Sequence, residues 1–75
     1  MGVPAVTIMV DDQQSMHRAA DCTLKWLERQ PEHVPGTEYA LIVCGLPDGR
    51  VTVSGVPPEA LPEIRRAGVA FELMN

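Results

Sequence analysis

The chain has 75 residues, of which 45% are apolar, a composition that indicates one globular domain (residues 1–75) and is too apolar for a disordered chain. Its formal net charge is −4, from six basic and ten acidic residues. This balance disfavours direct binding to nucleic acid, which depends on clustered cations, and attraction to an anionic membrane surface. It is compatible with a protein partner, including a basic one.

The small size of the chain also bounds its stability and its compartment. A domain this short buries about 60% of its unfolded surface, so oligomerisation often adds to a marginal stability. The apolar run 3–10 is too short to cross a bilayer and lacks the charged leader of a signal peptide, so no membrane association is expected. Two cysteines, Cys22 and Cys44, are interpreted as free thiols in a cytoplasmic protein. A disulfide between them is the alternative.

The first two predicted elements are a strand over residues 3–10, which alternates in side-chain direction, and a long helix over about residues 12–30. Asp11 or Asp12 is expected to cap the helix, with Gln14 at a weak capping-box spacing from Asp11, and Pro31 is expected to end it. Plotted at 100° per residue, the apolar side chains cover one broad arc, which predicts the face packed on a core. That arc contains Met16, Ala19, Ala20, Cys22, Thr23, Leu24, Trp26 and Leu27.

The middle of the chain predicts a hairpin. Residues 38–46 and 50–54 alternate as strands, and the sequence Pro47-Asp48-Gly49 between them suits a three-residue loop, with proline at the first corner and glycine at the left-handed position. Residues 55–58 are predicted to form a loop.

The C-terminal part predicts a short helix over residues 59–67 and a last strand over 69–74. Pro62 would break a longer helix, so we expect either two tight turns or one helix that starts near Pro62. Gly68 should end it. Val69, Phe71 and Leu73 are predicted to point inward.

The predicted order β-α-β-β-α-β indicates an α+β fold. Its simplest packing is a small two-layer ferredoxin-like sandwich, with a four-stranded antiparallel sheet and helices on one face. The expected order across the sheet is last, first, third, second strand. The alternative is a three-stranded sheet, with the C-terminal segment paired to another chain.

No motif for catalysis, a cofactor or a metal is recognised. The chain has no Gly-rich phosphate loop and no zinc spacing, and it lacks the cysteine pair of a copper chaperone and the open-face aromatics of an RNA-binding sheet. His17 and Asp21 could form half of a metal site, but a solvated helix face explains them better, with Asp21 paired to Lys25. The acidic pair after the first strand suits helix capping, and Arg65-Arg66 suits a helix C-terminus.

The predicted binding surface is the helix-free face of the sheet. The three-residue loop pairs Leu46 with Arg50, which points Ile42 and Cys44 to that face. Contiguous apolar patches mark interaction sites, so we predict partner binding by Met9, Ile42, Cys44, Met74, Thr7 and Thr52. If the loop instead has an even length, the register shifts by one residue, and Tyr39, Leu41 and Val43 become the outer set.

The sequence therefore predicts a small acidic protein-binding domain that is not an enzyme. Such domains are typical of adaptors and of inhibitors, such as phage-encoded blockers of a host defence system. The expected partner is another protein, with a homodimer as the expected state and no cofactor, direct nucleic-acid contact or membrane contact. The alternative is a small-ligand sensor or an accessory subunit of a larger enzyme, which would use residues 11–12 and 55–58.

Overall fold

A computed structural model of the chain describes residues 5–31 and 41–74. The beginnings of two predicted strands, including Tyr39 and Ala40, lie outside the described residues. The described elements are β1 (Val6–Val10), α1 (Gln13–Glu28), β2 (Ile42–Gly45), β3 (Val51–Val56), a 3₁₀ turn (Pro58–Ala60), α2 (Leu61–Arg66) and β4 (Phe71–Met74).

The strands form one antiparallel sheet in the order β2-β3-β1-β4. The α+β class and the four-stranded antiparallel sheet are confirmed, and the neighbours of each strand are those predicted. The alternative three-stranded sheet is wrong, because β4 pairs with β1, from Thr7 opposite Met74 to Val10 opposite Phe71. β2 and β4 are therefore the two edge strands.

Helix α1 is capped by one of the two candidate aspartates. The Asp12 carboxylate accepts a hydrogen bond from the Ser15 N–H at 2.7 Å, and this position for the cap leaves Gln14 outside a capping box. The helix ends at Glu28 rather than near residue 30. The amides of Arg29 and Gln30 donate to carbonyls three residues earlier, so the last turn tightens before Pro31.

The buried stripe of α1 is narrower than the predicted arc. Met16, Ala19 and Thr23 are buried, and the Thr23 hydroxyl donates to the Ala19 carbonyl at 2.8 Å. Leu27 is only half-buried, and Leu24 is 38% exposed, so the prediction that Leu24 packs inward is wrong. Among the described elements, the helix packed against α1 is α2, which is six residues long.

The β2–β3 hairpin has the predicted register. The Leu46 N–H donates to the Arg50 carbonyl at 2.7 Å, and the Gly49 N–H donates to the Leu46 carbonyl at 3.0 Å. Gly49 has φ +91°, the left-handed conformation required after a type I turn. Ile42 consequently pairs with Ser54 and Cys44 with Thr52, so the alternative register is wrong.

The segment after the hairpin differs from the prediction at its start. β3 continues to Val56, which is buried, because Gly55 adopts φ +91° and forms a bulge in the ladder with β1. The predicted loop over 55–58 is therefore wrong for these two residues.

Helix α2 follows one of the two expected forms, since it starts at Leu61 with Pro62 in its first turn. It ends in a Schellman motif, as the glycine predicted. The Gly68 N–H donates to the Arg65 carbonyl and the Val69 N–H to the Ile64 carbonyl, and Gly68 has φ +86°.

The core lies between both helices and one face of the sheet. Val69 is buried and Phe71 half-buried against it. Leu73 lies opposite Ile8 and so points to the predicted face, but it is 50% exposed, so the expectation that it packs in the core is wrong. β4 is an edge strand, and its far side has no neighbouring strand among the described residues. The buried cluster is Ile8, Val10, Met16, Ala19, Val51, Val53, Val56, Ile64 and Val69.

Candidate binding surface

The six predicted binding residues lie on one face of the sheet, opposite the helices. The strand registers place them in two rows that cross all four strands. One row is Ile42, Ser54, Thr7 and Met74, and the other is Cys44, Thr52, Met9 and Glu72. Their role in binding stays a prediction.

The first row exposes its apolar side chains at its two ends. Ile42 is 68% exposed and Met74 is 42% exposed. Between them, the hydroxyls of Thr7 and Ser54 lie 3.0 Å apart and are hydrogen-bonded. That single bond uses one hydroxyl hydrogen and one acceptor lone pair. The row therefore offers apolar contact at its ends and further hydrogen-bonding groups in its middle.

The second row is less exposed at its centre. Met9 is 9% exposed, and the Thr52 hydroxyl donates to the Cys44 carbonyl at 3.3 Å. The Cys44 side chain is exposed at the β2 end of the row. A partner seated on this row would therefore meet Cys44 before Met9.

Exposed apolar side chains concentrate on the edge strands. In the described part of the chain, the large hydrophobic side chains that are exposed to solvent are Leu24 and four residues of β2 and β4. Those four form two neighbouring pairs, so each edge strand exposes apolar groups on both faces of the sheet. The predicted strand order already placed both strands at the edges of the sheet. The feature that sequence reasoning missed is the exposure of Val43 and Leu73 on the helix side, where both were expected to be covered. The pairs are Ile42 with Val43 and Leu73 with Met74.

Charged residues collect at one end of the helix-free face. The Arg50 Nε lies 2.7 Å from the Asp48 carboxylate. The hydrogen bonds that the Arg50 backbone and side chain donate lower the pKa of Asp48, and the same carboxylate raises the pKa of Arg50. Arg50 is thus already paired with an anion inside its own hairpin.

A small depression lies beside this charged end. Its volume is about 240 Å³, below the roughly 300–1,000 Å³ of typical ligand pockets. Asp11 lines it, but the residues of the 55–58 segment do not, so the structure does not bring together the two segments expected for a ligand sensor. The lining residues are Met9, Asp11, Arg50, Ala70, Phe71 and Glu72.

The other candidate residues have local partners. The Asp21 carboxylate lies 3.0 Å from Lys25 Nζ, which confirms the predicted pair, and this contact raises the pKa of Lys25. Within residues 5–31 and 41–74, no three potential metal ligands cluster. Arg65 lies 4.9 Å from the centre of the Phe71 ring, a cation–π contact.

The two cysteines are free and lie on opposite sides of the sheet. Cys22 is on α1 and packs against the core, whereas Cys44 is on the helix-free face. This placement on opposite faces disfavours the alternative of an internal Cys22 to Cys44 bond.

Neither described helix combines the length and the apolar character that crossing a membrane requires. Comparisons with protein-family models, with curated proteins and with solved structures found no match.

Proposed function

We propose that the chain is a non-catalytic protein-binding domain, an adaptor or an inhibitor, which holds its partner on the helix-free face of the sheet. The observation that carries the proposal is the exposure of Ile42 and Met74 at the two ends of one row of that face. Apolar side chains exposed at both edges of one sheet face suit a partner that spans that face, and methionine adapts to irregular partner surfaces.

The magnitude of this burial limits how the partner binds. Covering the exposed parts of Ile42 and Met74 would favour association by about 2–3 kcal/mol. Association costs at least about 4 kcal/mol in lost translational and rotational freedom. These two anchors therefore need further contacts, and the backbone groups along the sheet edges are the available source.

Three of the carboxylates already have partners within the fold, which favours a binding role over catalysis. Asp12 caps a helix, Asp48 holds Arg50, and Asp21 holds Lys25. A general acid or base needs a group poised beside a substrate pocket, and these groups serve the fold instead. The free thiols suit a reducing compartment such as the cytoplasm, where the proposal places the protein. The proposed inhibitor role includes that of a phage-encoded blocker of a host defence system, which suits a domain of this size and charge.

The proposal is tested by affinity capture from the native host with matched variants. The immobilised wild-type chain should retain a protein in stoichiometric amount. Met74→Asp should lose that protein because it places a charge on the helix-free face. Leu24→Asp introduces the same charge at an exposed position on α1, so it should retain the protein.

Circular dichroism should show the same helix signal for all three chains. Capture that Met74→Asp leaves unchanged would contradict the proposed face. The absence of any stoichiometric protein would contradict a protein-binding function.

A further inference from the structure

The outer edge of β2 presents backbone groups that no described strand pairs with. The Leu46 N–H donates to the Arg50 carbonyl, so residue 46 directs its backbone groups toward β3. Backbone direction alternates along an antiparallel strand. Val43 and Gly45 therefore direct their N–H and C=O groups away from β3, along the free edge.

The sequence of this edge lacks the two residue types that most often block strand pairing. Edge strands commonly carry charged residues or proline, which prevent another strand from adding to the sheet. Residues 41–46 read Leu-Ile-Val-Cys-Gly-Leu, with no charge and no proline. The opposite edge, β4, carries Glu72.

The exposure of β2 side chains on both faces of the sheet favours a partner strand over a partner that docks on one face. Ile42 is 68% exposed on the helix-free face, and Val43 is 44% exposed on the other face. A partner that docks flat on one face covers only one of these side chains. A strand that pairs with the edge extends both faces and lies beside both side chains.

We propose that a second copy of this chain pairs its β2 antiparallel to this β2, which joins the two sheets into one continuous sheet. The inference goes beyond the proposed function, because it depends on the free edge of β2 and not on the partner held by the helix-free face. In the register that brings the outward backbone groups of both copies together, Val43 pairs with Val43 of the second copy. Leu41 of each copy then pairs with Gly45 of the other, and these pairs form about six hydrogen bonds. Ile42 then lies opposite Cys44 of the second copy on the helix-free face.

A second copy fits this edge for reasons of charge and stability. Each chain has a net charge of −4, so self-association needs a contact that brings no like charges together, and β2 is uncharged along its length. The same antiparallel pairing along β4 would place Glu72 in the contact. A domain of 75 residues also gains from oligomerisation, and the paired sheets bring both Ile42 side chains to the centre of one wide face.

The first test places proline at each free edge. In Gly45→Pro, the ring removes an outward N–H and leaves the ladder to β3 intact, and a Cβ at Gly45 meets no atom within 4 Å. The alternation, carried across β3 and β1, also directs the Leu73 N–H away from the sheet. Leu73→Pro is therefore the matched control on β4.

Sedimentation equilibrium over a range of concentrations measures the result. The wild-type chain and Leu73→Pro should dimerise with similar dissociation constants. Gly45→Pro should raise the constant at least about 10-fold, since it removes one intermolecular hydrogen bond in each copy. A monomeric wild-type chain, or weakening by Leu73→Pro alone, would overturn the inference.

Cross-linking tests the register in chains with an unaltered backbone. In the proposed pairing, the Cys44 side chains of the two copies are diagonal neighbours with Cβ atoms about 7–8 Å apart. A short bis-maleimide should therefore cross-link Cys22→Ser, which retains Cys44, into dimers. It should not cross-link Cys44→Ser, which retains the half-buried Cys22. Failure to cross-link Cys22→Ser at concentrations where it is dimeric would exclude this edge.

Failure of this inference differs from failure of the proposed function. Met74 lies on β4, at the far edge from the proposed dimer contact, so Met74→Asp should lose the captured partner and keep the wild-type dimerisation constant. A monomeric wild-type chain that still captures a partner would overturn the dimer alone. A dimer that captures no partner would leave the edge contact standing and overturn the proposed function.

Discussion

Truncation of Ile64 gives the sharpest test of the described core. Ile64 on α2 is fully buried in the cluster between the helices and the sheet. Ile64→Ala should destabilise the fold by about 2–5 kcal/mol, from lost apolar burial and the cavity left behind. A domain of this size has a total unfolding free energy of roughly 4–11 kcal/mol. One substitution should therefore remove a large share of the stability.

Ile42→Ala is the matched control, because it is the same chemical change at a side chain that is 68% exposed. It should cost less than about 1 kcal/mol. Leu27→Ala, at a half-buried position, should fall between the two. Urea unfolding followed by fluorescence of Trp26, the single tryptophan, measures all three variants at a protein concentration low enough for the chain to be monomeric, since dimerisation adds to the apparent stability.

The result that would refute this reasoning is equal destabilisation by Ile64→Ala and Ile42→Ala. A loss below about 1 kcal/mol for Ile64→Ala would refute it as well, because a fully buried isoleucine cannot be truncated at so small a cost.

Three further predictions concern the helix cap, the hairpin turn and the thiols. Asp12→Ala should lower stability, and Asp12→Asn should retain most of it, in the same urea assay. The hydrogen bond from a backbone N–H lowers the pKa of the Asp12 carboxyl. The stability that the Asp12 cap contributes should therefore be present above about pH 4 and lost as the pH falls through the folded-state pKa. A wild-type unfolding free energy that does not change over this acidic range would contradict the prediction. Gly49→Ala should lower the unfolding free energy by about 1 kcal/mol, because Gly49 has φ +91°. Gly45→Ala should lower it less, because a Cβ at Gly45 meets open space. Thermal unfolding compares the two variants. Native mass spectrometry should give the apo mass with two free thiols, and Cys44 should react with iodoacetamide before Cys22 because it is more exposed; a two-proton mass loss reversed by reductant would contradict free thiols.

The sequence by itself determined the elements with a clear local signal. The apolar arc of α1 follows from residue spacing, and the cap follows from an aspartate before the first helical turn. The hairpin register follows from Pro47-Asp48-Gly49, because a left-handed glycine after a type I turn sets which residues face each other. From that register, the sequence also places Ile42 and Cys44 on one face.

Tertiary structure alone decided how deeply each side chain is buried. Alternation places Val53 and Leu73 on the same face of the sheet, yet Val53 is fully buried and Leu73 is half exposed. The physical reason is position: β3 has a strand on each side, whereas β4 has one. Leu24 is likewise 38% exposed, although helical spacing places it on the apolar arc of α1. Burial depends on which neighbours are present, and strand order and helix length in three dimensions set those neighbours.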